Sequence, residues 1–262
     1  MDFKDFNKKF WDHNARLRRN CSRKCTSEDI YKARAGKPDL YILPQDPIPI
    51  SWHPPSWNGL DVFALGLGGG YHTPLLAAAG ANVTCLDISA EQLKIDEELC
   101  RQEGLEVNNI QGDVRDLSEY PSQSFDFIVT STVILYLQKI EFFWSEVFRL
   151  LRPGGVFING VINPVYYTLD SDEYAKYNLV MKNQIPFDST QVTTTRGMLK
   201  KKKLLEPFQF GHSLSDVIGG QIDAGFKITG LTEGFWGEDW DHQPIDDFLP
   251  SIIALRAQKA YD

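Results

Sequence analysis

The stretch "ALGLGGGYHT", residues 64–73, places four glycines in ten positions, between an apolar run and a segment of small, helix-forming residues. Glycines at the end of a strand let a ligand approach the main chain with no Cβ in the way. A dinucleotide loop has the pattern G-x-G-x-x-G/A. Counted from Gly66 its third place falls on Tyr71, and counted from Gly68 it falls on Thr73. Neither frame closes, which disfavours NAD and FAD. What remains is Gly66-x-Gly68-x-Gly70, whose meaning depends on its neighbours.

Outward from the loop the pattern is regular. "DVFALG" (61–66), "NVTCLD" (82–87), "VNNIQGD" (107–113), "FDFIVTS" (125–131) and "VFINGVIN" (156–163) read as strands. Between them lie helix patterns over 73–80, over 89–104 with Ser89 as N-cap, and over 140–155 ending in the turn Pro153-Gly154-Gly155. Alternation at this spacing predicts an α/β, doubly wound, mostly parallel sheet. "SLSDVIGGQIDAGF" (213–226) resumes as helix, and "KITGLTEGFW" and "SIIALRAQ" add two late strands, expected as an antiparallel edge that brings the sheet to seven. The expected organisation is an N-terminal helical arm and Pro-rich linker (1–59), a core (60–163), an aromatic, irregular lid insertion (164–210), and a C-terminal helix with edge strands (211–262). The segment 38–60 carries six prolines and is expected to be extended.

In a doubly wound sheet, ligands bind at the carboxyl ends of strands where the topology switches. Asp87 ends the second strand 21 positions after Gly66, where a carboxylate can accept from ribose hydroxyls, and Ile88 offers an apolar face to adenine. Asp113 ends the third strand, placed to accept from an adenine amino group, with the Val114 amide beside it.

These motifs, with "SFDFIVTSTVILYL" and "EVFRLLRPGGVF", resemble the class I, Rossmann-like, S-adenosylmethionine-dependent methyltransferases over about residues 60–163. "GGGYHTPLLAAAGANVTCLDISAEQL", "INPVYY" and "GHSLSDVIGGQIDAGF" are similar to a bacterial, largely uncharacterised small-molecule branch of them, and extend the likeness to nearly the whole chain. The resemblance implies S-adenosylmethionine as cofactor, with Gly66, Gly68, Gly70, Asp87, Ile88, Gln92, Asp113, Val114 and Thr130 as its contacts. One departure stands out. The family usually carries an acidic residue two places before the first glycine, and here that residue is Ala64.

Methyl transfer needs an aligned nucleophile and, for some acceptors, a base near neutrality, which favours histidine. The catalytic candidates are His72, at the start of the helix after the glycine loop, His212 and His53. Tyr71, Tyr136, Asn163, Tyr166 and Tyr167 are the candidate walls of an acceptor pocket, and Tyr174 and Tyr177 extend the aromatic lid. No "N/D-P-P-Y" motif follows the fourth strand, where Thr130-Ser131-Thr132-Val133 stands instead, so the expected acceptor is a small organic molecule with an O, N or C nucleophile. The alternative is a sensor or scaffold that binds the cofactor without transferring its methyl group.

Charge narrows the partners. Residues 1–37 hold eleven Lys and Arg against five Asp and Glu, a net +6, which leaves −14 for the rest of a chain of net −8. An acidic body argues against an extended nucleic-acid surface. The arm's Phe3, Phe6, Phe10 and Leu17 recur at helical spacing, as on a solvated surface helix, while its charge also suits closure over an acidic body. "KKKK" (200–203) reads as a solvated stretch. No run of about 20 apolar residues is present, so no membrane partner is expected. Four cysteines without a framework spacing, Cys21 and Cys25 included, imply neither disulfides nor a metal site, as expected of a cytoplasmic, reduced protein.

Overall fold

The structure is a computed structural model that describes residues 3–17, 23, 25–192, 206–236 and 243–261. Cys21, the lysines at 200–203 and Trp240 lie outside the described residues. Two helices, α1 (Phe3–Arg16) and α2 (Ser27–Arg34), precede an alternation of β1 (Asp61–Leu65), α3 (His72–Ala78), β2 (Asn82–Asp87), α4 (Ala90–Glu103), β3 (Asn108–Gln111), β4 (Phe125–Ser131), α5 (Glu141–Leu150) and β5 (Leu151–Ile162). A two-stranded ribbon of β6 (Phe187–Asp188) and β7 (Phe210–Gly211) follows, then β8 (Lys227–Gly234) and β9 (Ile252–Gln258).

The seven-stranded sheet has the order β3-β2-β1-β4-β5-β9-β8. Strands β1 to β5 pair in parallel, and β9 runs antiparallel between β5 and β8. The doubly wound sheet with an antiparallel edge is therefore as expected. β1 is buried along Val62–Leu65 because helices or the 38–60 segment cover both its faces, the condition under which a parallel strand is a continuous apolar run. Local signals set the helix ends. Ser89 Oγ accepts from Gln92 N–H at the start of α4, and Gly104, in the left-handed region at φ 64°, closes it.

The "RPGG" segment differs from the expected free turn. α5 stops at Leu150, and Leu151 already pairs with Phe125, while Val156 pairs with Phe127. The residues between form a bulge inside β5, pinned by Arg152, which donates to Asp126 and Asp61 at 2.7 Å each.

The two sheet faces carry separate cores. One joins Phe63, Phe125, Phe143, Trp144, Phe157 and Phe226 under α5. The other is completed by the proline-rich segment, which is extended but not a free tether: Leu40, Ile42, Ile48, Trp52 and Trp57 are buried against Val62, Phe127 and Ile158. Proline blocks helix there and the apolar residues between prolines are left to cover the sheet. No helix among the described residues is long and apolar enough to cross a membrane.

Candidate active site

β1 and β4 are neighbours in the sheet whose following connections leave toward β2 and β5 respectively, so a crevice opens at their carboxyl ends. A cavity of about 1090 Å³ occupies it. This is at the top of the range for a single drug-sized ligand, about 300–1,000 Å³, and leaves room for two molecules together.

The glycine loop forms its floor. Gly66 sits at φ 64°, and a Cβ there would collide with the Val133 side chain arriving after β4. Gly68 approaches Asp87 and Gln92 so closely that a Cβ would lie 3.1 Å from Asp87 Oδ2 and from Gln92 Cβ. Gly68 N–H donates to Asp87 Oδ2 (3.1 Å), and the N–H groups of Gly69 and Gly70 donate to Asp96 Oδ1 (3.2 and 2.5 Å). All three amides are thus turned onto carboxylates of the chain itself. A phosphate-binding loop would present them outward, so the structure supplies an independent reason against a pyrophosphate ligand.

Asp87 is buried at the end of β2, and its Oδ1 also accepts from Ser89 N–H at 2.8 Å. Burial pushes its carboxyl up to about 6, and the two amide hydrogen bonds hold it from rising further. Ile88, Gln92, Asp113 and Val114 line the cavity alongside it. Asp113 is engaged at both oxygens: Arg115 N–H donates to Oδ1 at 3.0 Å, and Arg115 Nη2 lies 2.7 Å and Lys4 Nζ 2.9 Å from Oδ2. Burial raises its carboxyl, but Arg115 and then Lys4 outweigh it and hold the group at about 2.

Two expected contacts stand elsewhere. Thr130 is fully buried, and its hydroxyl donates to Leu65 O across the β1–β4 pair at 2.9 Å, so it does not reach the cavity. Gly70 faces α4 rather than the cavity; at φ 86°, a Cβ there would lie 2.8 Å from Ile95 Cγ2.

Of the three histidines, only His72 lines the cavity. Its Nε2 is 3.0 Å from Tyr41 O. A carbonyl only accepts, so Nε2 carries the hydrogen and Nδ1 the lone pair. Burial drops its basicity to about 4, only partly opposed by that bond, and the ring is neutral at physiological pH. His212 is buried, with Nε2 at 2.9 Å from Leu137 O and 3.2 Å from Ile134 O; it braces the turn after β4. His53 packs edge-on against Trp57 (5.5 Å between centroids) under the sheet.

The aromatic positions divide likewise. Tyr71, Tyr136 and Tyr166 line the cavity, as do Trp11 and Trp236. Tyr167 turns away and stacks on Phe187 (5.9 Å) in a satellite core. Asn163 caps the turn Pro164–Thr168, accepting from Val165 N–H and donating to Pro250 O. Tyr174 backs Tyr166 edge-on and donates to Gln243 Oε1, whereas Tyr177 is exposed.

Of the two readings of the arm, a solvated surface helix and closure over the body, the structure has α1 over the cavity: Phe3, Lys4, Asn7, Phe10 and Trp11 line it. The helix is tied down by Ser89 Oγ–H donating to Asp12 Oδ1 (2.7 Å) and by two hydrogen bonds between Asn7 and the Phe208 main chain. The interruption of the Phe pattern by Asn7 and Asp12 on the buried face was the available signal. Asp96 carried a similar one, a carboxylate on the buried stripe Gln92–Leu93–Asp96–Cys100 of α4.

Comparison with known proteins agrees with this geometry. Residues 63–159 match the methyltransferase-domain family. The chain is 35% identical over 253 residues to the uncharacterized methyltransferase YbaJ of Bacillus subtilis, covering 97% of each protein. It is 29% identical over 203 residues to a ubiquinone biosynthesis O-methyltransferase of Rhizobium leguminosarum bv. trifolii, covering 76% of this chain and 73% of the relative. The crystal structure of an S-adenosylmethionine-dependent methyltransferase from Mesorhizobium loti superposes with a TM-score of 0.56 at 20% identity, over 79% of this chain and 94% of that one.

Proposed function

The chain belongs to the class I, Rossmann-like, S-adenosylmethionine-dependent methyltransferases, and from that premise we propose that it methylates a small, uncharged organic acceptor bound between the turn after β4 and the lid. One observation carries this reading: a single cavity joins the glycine loop and Asp87 to an aromatic chamber and is larger than one ligand requires.

The residues present fit the cofactor. Gly68 brings bare backbone against Asp87 and Gln92, and the buried Asp87 carboxylate suits ribose hydroxyls, whose hydrogen bonds would replace lost water. Ile88 and Val114 offer apolar surface to the adenine. With Ala64 buried in β1, the ammonium of the methionine tail needs another anion. Asp29 and Asp39 line the cavity on the side of Tyr71, whose hydroxyl donates to Asp39 O at 3.1 Å.

Bound S-adenosylmethionine supplies an electrophilic methyl group on a sulfonium; the chain's task is to align the acceptor, shield it from water and remove its proton where the nucleophile carries one. Val133, Leu135, Tyr136, Ile162, Tyr166 and Trp236 form the wall of the chamber and bring no formal charge. Six of the charged lining residues are drawn into pairs at other rims, Lys4 and Arg115 with Asp113, and Lys32 with Glu28 and Asp39, while Arg23 lies over the Tyr41 ring. An acceptor with an apolar or aromatic body is favoured by such walls, and a hydroxyl nucleophile is in keeping with the O-methyltransferase relative. Of the three candidate histidines only His72 lines the cavity; with its ring held at about 4 it is a weak base, so its part is to help position the acceptor rather than to take up its proton.

A binding protein without transfer activity is the weaker reading, because the cavity extends well beyond the glycine loop. The test is to incubate the protein with methyl-labelled S-adenosylmethionine and a fractionated metabolite extract. Label should appear in a small neutral product. Cofactor binding without any labelled product across fractions would favour the sensor.

A further inference from the structure

Asp96 stands on α4 four residues after Gln92, fully buried, and one of its oxygens accepts the N–H groups of both Gly69 and Gly70 (3.2 and 2.5 Å). Successive amides converging on a single oxygen form a nest, which ordinarily cradles an anion from outside. Here the chain fills its own nest. The conformation is one that side chains resist: Gly69 and Gly70 have φ of 126° and 86°, and Ile95, next to Asp96, packs where a Gly70 Cβ would stand. An apolar side chain at this position would bury without electrostatic penalty, so a carboxylate here calls for a role other than filling space.

That role follows from what lies on the other side of the loop. Gly68, one residue before the pinned pair, is the point where bare backbone meets Asp87 and Gln92 at the cavity wall. The loop is therefore held by two carboxylates, Asp87 from β2 and Asp96 from α4. Meanwhile the strand before it has Ala64 where the family resemblance implies an acid. We propose that Asp96 is a positioning residue for the cofactor: by fixing the Gly69 and Gly70 amides it holds the loop in the curve that sets Gly68 against Asp87, so that the binding surface is formed before the ligand arrives. Preformed loops spare the ordering otherwise required on binding. The inference rests on the reading of this cavity as the S-adenosylmethionine site.

Calorimetric titration of S-adenosylmethionine into the wild type, Asp96→Ala and Asp96→Asn tests it. Asn keeps an oxygen facing both amides; Ala removes it. The expected result is a loss of affinity of at least about tenfold for Asp96→Ala, with recovery to within about threefold of wild type for Asp96→Asn. A merely structural role would lower the melting temperature of Asp96→Ala without moving the Kd of its folded fraction. Folded Asp96→Ala that binds as the wild type does overturns the inference, and so does Asp96→Asn binding as weakly as Asp96→Ala. Should Asp96→Ala not fold, Asp96→Leu fills the space without an acceptor and is judged by the same criteria. A wild type that does not bind S-adenosylmethionine removes the proposed function itself and this inference with it. A wild type that binds while the acceptor-less variant binds equally well removes only the role of Asp96.

Discussion

Replacing Asp96 by Asn should make the ligand-free protein more stable, and only above a certain pH. Burial pushes the Asp96 carboxyl up to about 7, the neighbouring Asp87 adds to this, and the amides of Gly70 and Gly69 oppose it. The other titratable neighbours are the Cys85 and Cys100 thiols, themselves pushed up and neutral throughout the range that matters. In the unfolded chain an aspartate titrates near 3.9. Between about pH 4 and 7 the folded protein therefore holds a proton that the unfolded chain has released, so stability falls as pH rises through this window and is flat above it. About three pH units at about 1.4 kcal/mol each bound the penalty near 4 kcal/mol. The amide hydrogen bonds are already counted in that figure, since they act on the ionised form. Asn imitates the protonated acid, keeps an oxygen toward both amides and does not titrate. The variant should match the wild type near pH 4 and exceed it by about 2–4 kcal/mol at pH 8. In a chain of this size that is a rise in Tm of roughly 4–16 °C. Urea unfolding followed by circular dichroism at pH 4.5, 6 and 8, without ligand, measures it. A difference that does not change with pH, or a variant less stable than wild type at pH 8, would refute the argument that an ionised carboxylate is buried there against its preference.

Asp87→Ala removes the acceptor at the end of β2 and should weaken S-adenosylmethionine binding about tenfold to a hundredfold by calorimetry, or roughly 1.5–3 kcal/mol. Thr130→Val, by contrast, loses only the hydrogen bond to Leu65 O, so cofactor affinity should stay within about twofold while stability falls by about 1 kcal/mol in urea titration. The two adjacent tyrosines should separate: Tyr166→Ala raises acceptor KM at unchanged cofactor affinity, whereas Tyr167→Ala costs about 3–5 kcal/mol of stability as a core truncation. Deleting α1 removes Lys4, Trp11 and the Asp12–Ser89 bond from the site, and should leave far-UV dichroism of the sheet intact while cofactor affinity drops at least about tenfold; unchanged affinity would return α1 to the role of a surface helix.

Local chemistry was enough to write down the sheet. β2 at 82–87 and β4 at 125–131 coincide with their apolar runs, Ser89 caps where it was expected to, and the glycine loop with Asp87 pointed to the ligand class. These features depend on neighbours a few residues away, and periodicity and capping report them. Thr130, Asn163 and Tyr167 show what such signals omit. A side chain at the end of a strand faces the ligand or the partner strand according to what meets it. Leu65 O takes the Thr130 hydroxyl, Pro250 O takes the Asn163 amide, and Phe187 takes the Tyr167 ring. The same holds for α1, whose charge and spacing left a surface helix and closure over the body both open, for the proline-rich segment, expected only to be extended, and for Asp96, an acid on a helix until the glycine amides arrive from 26 and 27 residues away. The order of elements is a property of short windows of sequence, but the direction in which each polar group is satisfied belongs to contacts between segments far apart in the chain. A buried group takes whichever partner replaces the water it has lost.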